Sequence, residues 1–243
     1  MLTGRCIVFF LIATLSTQIA HAGKDTPLPS FTASYTIHNL TLRALNIGTY
    51  VSKLGRIDSD QYHYEAHTRP AGMLTWLYKD QIDEQSQWRI NDKSIRPLSY
   101  TYKRSGGSKH RLVELRFDWN RRIVENKVDG DKWRMPIPLG ALDKLSVQLA
   151  MMLDLERGKS TMEFAVADGG ILKTYRFKVI GKERLVTPAG SYDTLKLERQ
   201  RDNNKRSTYI WCAPKLHNLP VRIDQREEDD SKFSMILTSY TEP

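Results

Sequence analysis

Cysteine is almost missing from this chain: Cys6 and Cys212 are the two among 243 residues. Cys6 falls in a segment read below as a removable leader, which leaves Cys212 alone. An internal disulfide, a CxxC redox pair and a sulfur-rich metal site are thereby excluded, and the fold must stand on its core. Glycine, at 14, is too scarce for a collagen-like chain. Gly-x-Ser-x-Gly is absent, so the nucleophile elbow of the α/β-hydrolases is not available. No apolar run reaches the roughly 18 residues that a membrane-spanning helix needs. What is present is 40% hydrophobic and 27% charged, which rules out a disordered chain and suffices for a real core. Lys+Arg at 37 exceed Asp+Glu at 28, giving a net charge of +9 that is spread along the chain. Such a surplus favours anionic surfaces, lipid headgroups among them, without specifying a function.

The N-terminus predicts export. Arg5 precedes the apolar run Cys6–Leu15, the polar Ser16-Thr17-Gln18 follows, and Ala20-His21-Ala22 supplies the small-x-small pattern that a signal peptidase reads. Residues 1–22 are read as a signal peptide and 23–243 as one β-rich domain, with Gly23 the first mature residue. The run is too short for a transmembrane anchor, and no cysteine stands at the cleavage point for lipid modification. The expected location is a bacterial periplasm, with no integral membrane segment after cleavage.

Beyond a short polar leader, period-two alternation dominates. Larger apolar groups take the odd positions from Phe31 to Ile37. Tyr62, Tyr64 and Ala66 alternate with His63, Glu65 and His67; Val113, Leu115, Phe117 and Trp119 alternate with Glu114, Arg116 and Asp118. The same pattern returns at Met162/Phe164/Val166, Tyr175/Phe177/Val179, Leu195/Leu197, Tyr209/Trp211, Val221/Ile223 and Phe233/Met235/Leu237. Successive strand side chains point to opposite faces, so this describes strands packed on one side and wetted on the other. Ser105-Gly106-Gly107-Ser108, Asp129-Gly130, Asp168-Gly169-Gly170 and Pro188-Ala189-Gly190 read as turns between neighbouring strands.

One long segment, Asp143 through Glu156, reads as a helix of about 20 Å. Asp143 can cap its free amides and Gly158 can end it in a left-handed turn. Leu145, Leu149, Met152 and Leu153 share a face, and Val147, Met151 and Leu155 widen the apolar surface, so the helix should be covered on more than one side. The predicted fold is mainly β: a strongly curved antiparallel sheet, half-barrel or barrel-like, packed around one main α-helix. Such a sheet hides its edges by curling and can leave a cavity beside the helix.

A set of short motifs runs in order along the chain: Phe31-x-Ala33-x-Tyr35, Pro97-x-x-Tyr100, Phe117-Asp118-Trp119, Asp143-x-x-Ser146, Thr187-x-Ala189-Gly190-x-Tyr192, and Trp211-x-Ala213-Pro214-x-Leu216-x-x-Leu219-Pro220-Val221-Arg222. In these the chain resembles the bacterial exported family of domain-of-unknown-function 3108, over almost the whole mature length. The resemblance implies an exported envelope protein whose fold is similar to that of lipoprotein-carrier proteins. It implies no established catalytic activity, and a lipid-carrying role inferred from the fold would be analogy.

Candidate chemistry is sparse. His63 and His67 lie on one strand face but about 13 Å apart, too far to share a metal. Their bland reading is a wetted polar face, and no metal or cofactor is expected. Cys212 lies in an apolar strand-like run, where a free cysteine acts as a small buried hydrophobe rather than a nucleophile. Asp143, Lys144 and Ser146 form the densest polar group beside the helix start; satisfying free backbone amides is their first role, chemistry a lesser one. Glu228-Asp229-Asp230 reads as a solvated turn, and nothing pairs two carboxylates across a sugar site. The basic stretches Lys109-His110-Arg111 with Arg116, Arg121 and Arg122, and Lys196, Arg199, Arg201, Lys205 and Arg206, suit anionic headgroups better than nucleic acid. Stacking aromatics are not interleaved with them on the wet face.

Ligand binding rests on apolar surface. Tyr35, Tyr64, Phe117, Trp119, Phe164, Phe177 and Trp211, with Leu149 and Met152 opposite, would line the inside of a curled sheet, either filling it or shaping a lipid pocket. The expected function is therefore that of a non-enzymatic envelope protein binding a lipid-like or hydrophobic ligand or an acylated partner, with basic residues at the rim attracting an acidic head. The alternatives are an envelope-integrity scaffold acting on other envelope proteins through its surface, and a hydrolase of an envelope polymer.

Overall fold

The computed structural model describes residues 28–72, 75–76, 79–91, 94–200 and 206–243. The predicted signal peptide, Gly23, Arg201 and Lys205 lie outside these residues. The alternating segments form the strands β1 (Phe31–Asn39), β2 (Leu45–Arg56), β3 (Gln61–Pro70), β4 (Gln81–Asn91) and β5 (Ser94–Ser105). Next come β6 (Arg111–Asp118), β7 (Ile123–Val128), β8 (Asp131–Pro136) and the very short β9 (Leu142–Asp143), then the helix α1 (Ser146–Glu156). The chain finishes with β10 (Thr161–Asp168), β11 (Ile171–Thr187), β12 (Gly190–Gln200), β13 (Ser207–Ala213), β14 (Leu219–Arg226) and β15 (Lys232–Thr241).

These strands make one sheet in the order β8, β7, β6, β5, β4, β3, β2, β1, β15, β14, β13, β12, β11, β10, β9. Hairpins join most neighbours, and the four predicted turns fall between paired strands: β5–β6, β7–β8, β10–β11 and β11–β12. Among the described residues the one long-range antiparallel ladder joins β1 to β15, with Thr32 opposite Thr241 and Asn39 opposite Phe233, so the two ends of the described chain meet mid-sheet.

The strongly curved antiparallel half-barrel or barrel expected from the alternation does not form. The sheet is open, mixed and not strongly curled: among the described residues no ladder joins β8 to β9, and Leu142 and Asp143 pair in parallel with Val166 and Ala167. Alternation fixes which side chains share a face, but carries no information about how far a sheet bends or where it ends. The parallel pair arises because β9, α1 and β10 make a strand–helix–strand crossover, which returns the chain in the same direction. The edges are protected by other means. β9 is two residues long, whereas β8 carries Lys132, Arg134 and a terminal Pro136, residues that discourage a further strand.

The predicted periodicity of burial holds at most strands. Phe31, Ala33 and Tyr35 are buried on β1, Tyr62, Tyr64 and Ala66 on β3, and Val113, Leu115 and Phe117 on β6. The helix begins three residues later than expected, because Asp143 is still in β9. Its end agrees with expectation: Gly158 sits at φ 78° and its N–H donates to the Leu155 carbonyl at 2.9 Å. Val147, Leu149, Met151, Met152 and Leu155 are all buried, so α1 is covered around much of its circumference. Among the described residues no helix is long and apolar enough to cross a membrane.

Candidate functional site: a cationic cleft around Lys144

The segment between β9 and α1 splits its polar side chains between the interior and solvent. Asp143 points inward and is fully buried. Its Oδ1 accepts hydrogen bonds from the Leu145 N–H (2.9 Å) and the Ser146 N–H (2.8 Å), and its Oδ2 accepts from Ser86 Oγ on β4 (2.7 Å). The Asp143 N–H in turn donates to Ser146 Oγ at 2.9 Å. Two free amides at the helix entrance are thus satisfied by a side chain that precedes the helix, as a cap would do. Burial pushes the Asp143 carboxyl up to about 6, against the opposing pull of these donors.

Lys144 points outward. Its Nζ lies 3.5 Å from Glu84 Oε1 and 4.8 Å from the Tyr102 ring centroid. Burial works against its charge, but the Glu84 and Asp168 carboxylates outweigh it and hold the ammonium above its ordinary pKa. Glu84 also accepts from the Tyr100 hydroxyl at 2.5 Å. Asp168, at the end of β10, accepts from Lys173 Nζ at 2.7 Å and from the Tyr175 hydroxyl at 3.0 Å. Burial alone would raise the Asp168 carboxyl; the Lys173 hydrogen bond and the Lys144 charge hold it below the usual carboxylate range.

Two hollows meet at this cluster. One, of about 290 Å³, is lined by Tyr100, Tyr102, Arg104, Arg111, Lys144 and Lys173 among others. The second, of about 810 Å³, is lined by Lys144, Lys173, Arg176, Arg199 and Arg206 and shares Asp168 with the first. Some of this charge is already paired, Arg104 with Asp80, Arg176 with Glu163, and Arg206 with Glu227 and Glu228. Arg199 differs. Its guanidinium lies 3.4 Å from the Tyr175 ring centroid, and its Nε is buried without a hydrogen-bond partner. The exposed side chains of Ile171 and Leu172, at the start of β11, each line one of the two hollows. The arrangement is a cationic cleft with an apolar lip.

The predicted ligand-contacting residues are distributed differently. Tyr35, Tyr64, Phe117, Phe177, Trp211, Leu149 and Met152 are buried in the common core, with Trp119 and Phe164 partly buried against it. None of them lines either hollow. Of Asp143, Lys144 and Ser146, Lys144 alone lines the cleft, with Asp143 and Ser146 buried. His67 bonds Asp83 at 2.7 Å, and the Nε2 of His63 is 4.0 Å from Glu65. Among the described residues no three His, Cys, Asp or Glu side chains converge as a metal site. Cys212 is buried, and burial pushes its thiol well above the ordinary range.

Sequence reasoning passed over Glu84, Tyr102, Asp168 and Lys173 as site residues. A signal existed for Glu84, which shares its strand parity with the buried Ser86 and Trp88 and so had to face inward. Asp168 was hidden in a turn motif, Asp168-Gly169-Gly170, whose glycines at φ 63° and 87° explain the sequence without any ligand.

A family model, described as Protein of unknown function (DUF3108), matches residues 30–238. The chain belongs to that family. No curated protein matches this DUF3108 chain in sequence. Among solved structures, it is similar to the β-barrel-like protein of domain of unknown function DUF1849 from Brucella abortus, with a TM-score of 0.58 at 8% identity. That alignment covers 90% of the DUF3108 chain and 99% of the other. At such identity the likeness bears on the fold alone. More distant are a protein from Bacteroides fragilis NCTC 9343 described as exported with a YmcC-like fold (TM-score 0.40, 10% identity, 88% and 98% covered) and one from Parabacteroides distasonis ATCC 8503 described as a lipoprotein (TM-score 0.33, 10% identity, 88% and 96% covered). Neither bears on what this chain does.

Proposed function

We propose that this DUF3108 protein is an exported, non-enzymatic envelope protein that binds an amphiphile with an anionic head in the cleft around Lys144. The observation that carries this reading is the meeting of Lys144, Lys173 and Arg199 in one cleft beside the exposed Ile171 and Leu172. Partly desolvated cations attract an anion more strongly than the same groups would in open water. An acyl chain laid over the lip would add about 0.8 kcal/mol for each methylene removed from water. The leader pattern in residues 1–22 supports export, and the net charge of +9 supports an anionic surface or ligand as partner.

The test is native mass spectrometry of the protein purified from the periplasm of its own host, with organic extraction of whatever travels with it. The expected result is a stoichiometric anionic amphiphile, lost from a Lys144→Ala/Arg199→Ala variant that retains its thermal transition. A bare protein mass, together with no binding to anionic vesicles, would count against the reading. A second reading draws support from the densely filled interior, in which Trp88, Tyr35, Tyr64 and Tyr100 are all nearly inaccessible. It is a scaffold that acts on envelope proteins through its surface, and a bare mass with a reproducible protein partner would favour it.

A further inference from the structure

The cleft already contains an anion of its own. Asp168 is the carboxylate on which Lys173 Nζ and the Tyr175 hydroxyl converge, at 2.7 and 3.0 Å, and its side chain is 19% exposed. Lys144 acts on it through charge, and Tyr175 is covered on one ring face by the Arg199 guanidinium. A carboxylate with hydrogen bonds from an ammonium and a phenol, acted on by a second ammonium and sharing its hollow with Arg199, marks the position at which an oxyanion is held. We infer that Asp168 is a displaceable resident counter-ion, occupying a site for a phosphate-type oxyanion that Lys144, Lys173, Tyr175 and Arg199 form. This rests on the cleft reading above and specifies its ligand.

The ligand class follows from the exchange. An external monocarboxylate would replace Asp168 like for like, gaining no charge and competing with a group tethered at high effective concentration. A phosphate group carries up to two negative charges and three acceptor oxygens, so it can engage Arg199 Nε, which has no partner at present, as well as the two ammonium groups. Asp168 stands at the end of β10, directly before two glycines at φ 63° and 87°. Swinging it aside therefore moves a turn and not the core. Phosphate chemistry is shared by free phosphate and by phospholipid heads, and the apolar lip of Ile171 and Leu172 separates the two.

The apparent affinity of a self-occupied site is reduced by the fraction of time it is free. If Asp168 fills the site nine-tenths of the time or more, Asp168→Asn raises affinity about tenfold or more. The experiment titrates the wild-type protein, Asp168→Asn and Glu228→Gln with inorganic phosphate by calorimetry, and with phosphatidylcholine vesicles containing phosphatidic acid. Glu228→Gln removes the same charge from the same cleft, but its carboxylate faces Arg206 at 3.6 Å and not the Asp168 donors. Tightening on Asp168→Asn, with Glu228→Gln within about twofold of wild type, supports the inference; a gain confined to vesicles identifies the lipid head as the source, and an equal gain for phosphate identifies the free ion. Equal tightening in both variants, or wild-type binding that Asp168→Asn leaves unchanged or weaker, overturns the inference while the cleft reading stands. No binding to any of the three proteins overturns both. In the unaltered protein, the carboxyl carbon resonance of Asp168 should move during the phosphate titration and saturate with binding. This readout does not depend on the variant folding, and an unmoved resonance beside demonstrable binding overturns the inference as well.

Discussion

At the scale of single residues, burial competes with pairing for control of the polar groups: pairing wins at Lys144 and Asp168, burial at Asp143. Asp143 shows this most clearly. Its carboxyl is pushed up to about 6 from an unperturbed 3.8, so the folded state binds the proton more tightly than the unfolded chain does. Between roughly pH 4 and 6 stability therefore falls as pH rises, and the full cost of the buried charge is present above pH 6. Asp143→Asn keeps an oxygen for the Leu145 and Ser146 amides but carries no charge. Compared with wild type by urea denaturation, it should gain on the order of 2 kcal/mol between pH 4 and pH 7. A difference that does not vary with pH would show that burial of the charge is not what sets this behaviour. Ser86→Ala strips one donor from the same carboxylate and should cost about 1–3 kcal/mol at pH 7, read from the same denaturation curves. Cys212 gives a simpler check: burial keeps it a thiol, so a thiol reagent should label it only as fast as the protein unfolds. At this scale the sequence was readable for the large apolar groups, whose parity settles their burial. Parity shows Glu84 facing inward but not its partners, and the sequence was silent on Asp168 and Lys173, because these roles come from neighbours outside the local pattern.

At the scale of elements, the short motifs that carry the family resemblance correspond to structural devices, none of which needs a ligand. The Tyr35 hydroxyl donates to the Pro220 carbonyl at 2.9 Å, tying β1 to β14 across the intervening β15. The Trp119 indole donates to the Pro97 carbonyl at 2.6 Å, joining the end of β6 to β5. Thr187 and Tyr192 close the β11–β12 hairpin through the Gly190 and Ala189 carbonyls. Pro214–Leu216 forms a short 3-10 turn, and Asn218 just beyond it reaches Glu156 at the end of α1 at 2.8 Å. Motif order was thus legible because strand order is, whereas the cleft is lined mainly from β5, β6, β10, β11, β12 and the segment between β9 and α1, where the Asp143, Lys144 and Ser146 group was its one local signal. The β10–β11 turn contains a further device. Gly170 sits at φ 87° under the ring of Trp133, whose indole donates to the Gly170 carbonyl at 3.1 Å, so edge strand β8 is held to this turn. A Cβ at position 170 would overlap that ring. Gly170→Ala should therefore cost about 1–3 kcal/mol from the backbone angle and displaced ring together, measured as a lowered denaturation midpoint. It should also change anion binding, because Asp168 and Lys173 flank the same turn. An alanine accommodated without loss of stability would show that Trp133 does not anchor there.

At the scale of the whole molecule, alternation and turn residues disclose the hairpins, and the apolar helix discloses the interruption between β9 and β10. The closure of the sheet is beyond such reading, since whether two edges meet depends on accumulated twist and not on any single residue. An open sheet of this extent must instead keep its edges from recruiting other chains. The two edges do so differently: β9 offers two residues of backbone, and β8 offers six, of which Asp131, Lys132, Trp133, Arg134 and Pro136 are exposed. With Trp133 on this edge, the charges of Lys132 and Arg134 stand between β8 and strand addition. Arg134 is also paired at 3.1 Å with Glu125 of β7 while its side chain stays exposed. Replacing both with valine raises strand propensity and removes the repulsion between approaching copies. Lys132→Val/Arg134→Val should keep the wild-type far-ultraviolet circular dichroism at low concentration yet elute as dimers or larger species in size-exclusion chromatography with light scattering. Association should weaken when a proline is added at position 134 of that variant, because proline cannot complete the ladder. A double-valine protein that stays monomeric at the same concentrations would show that the twist of β8, and not its charge, is what guards this edge.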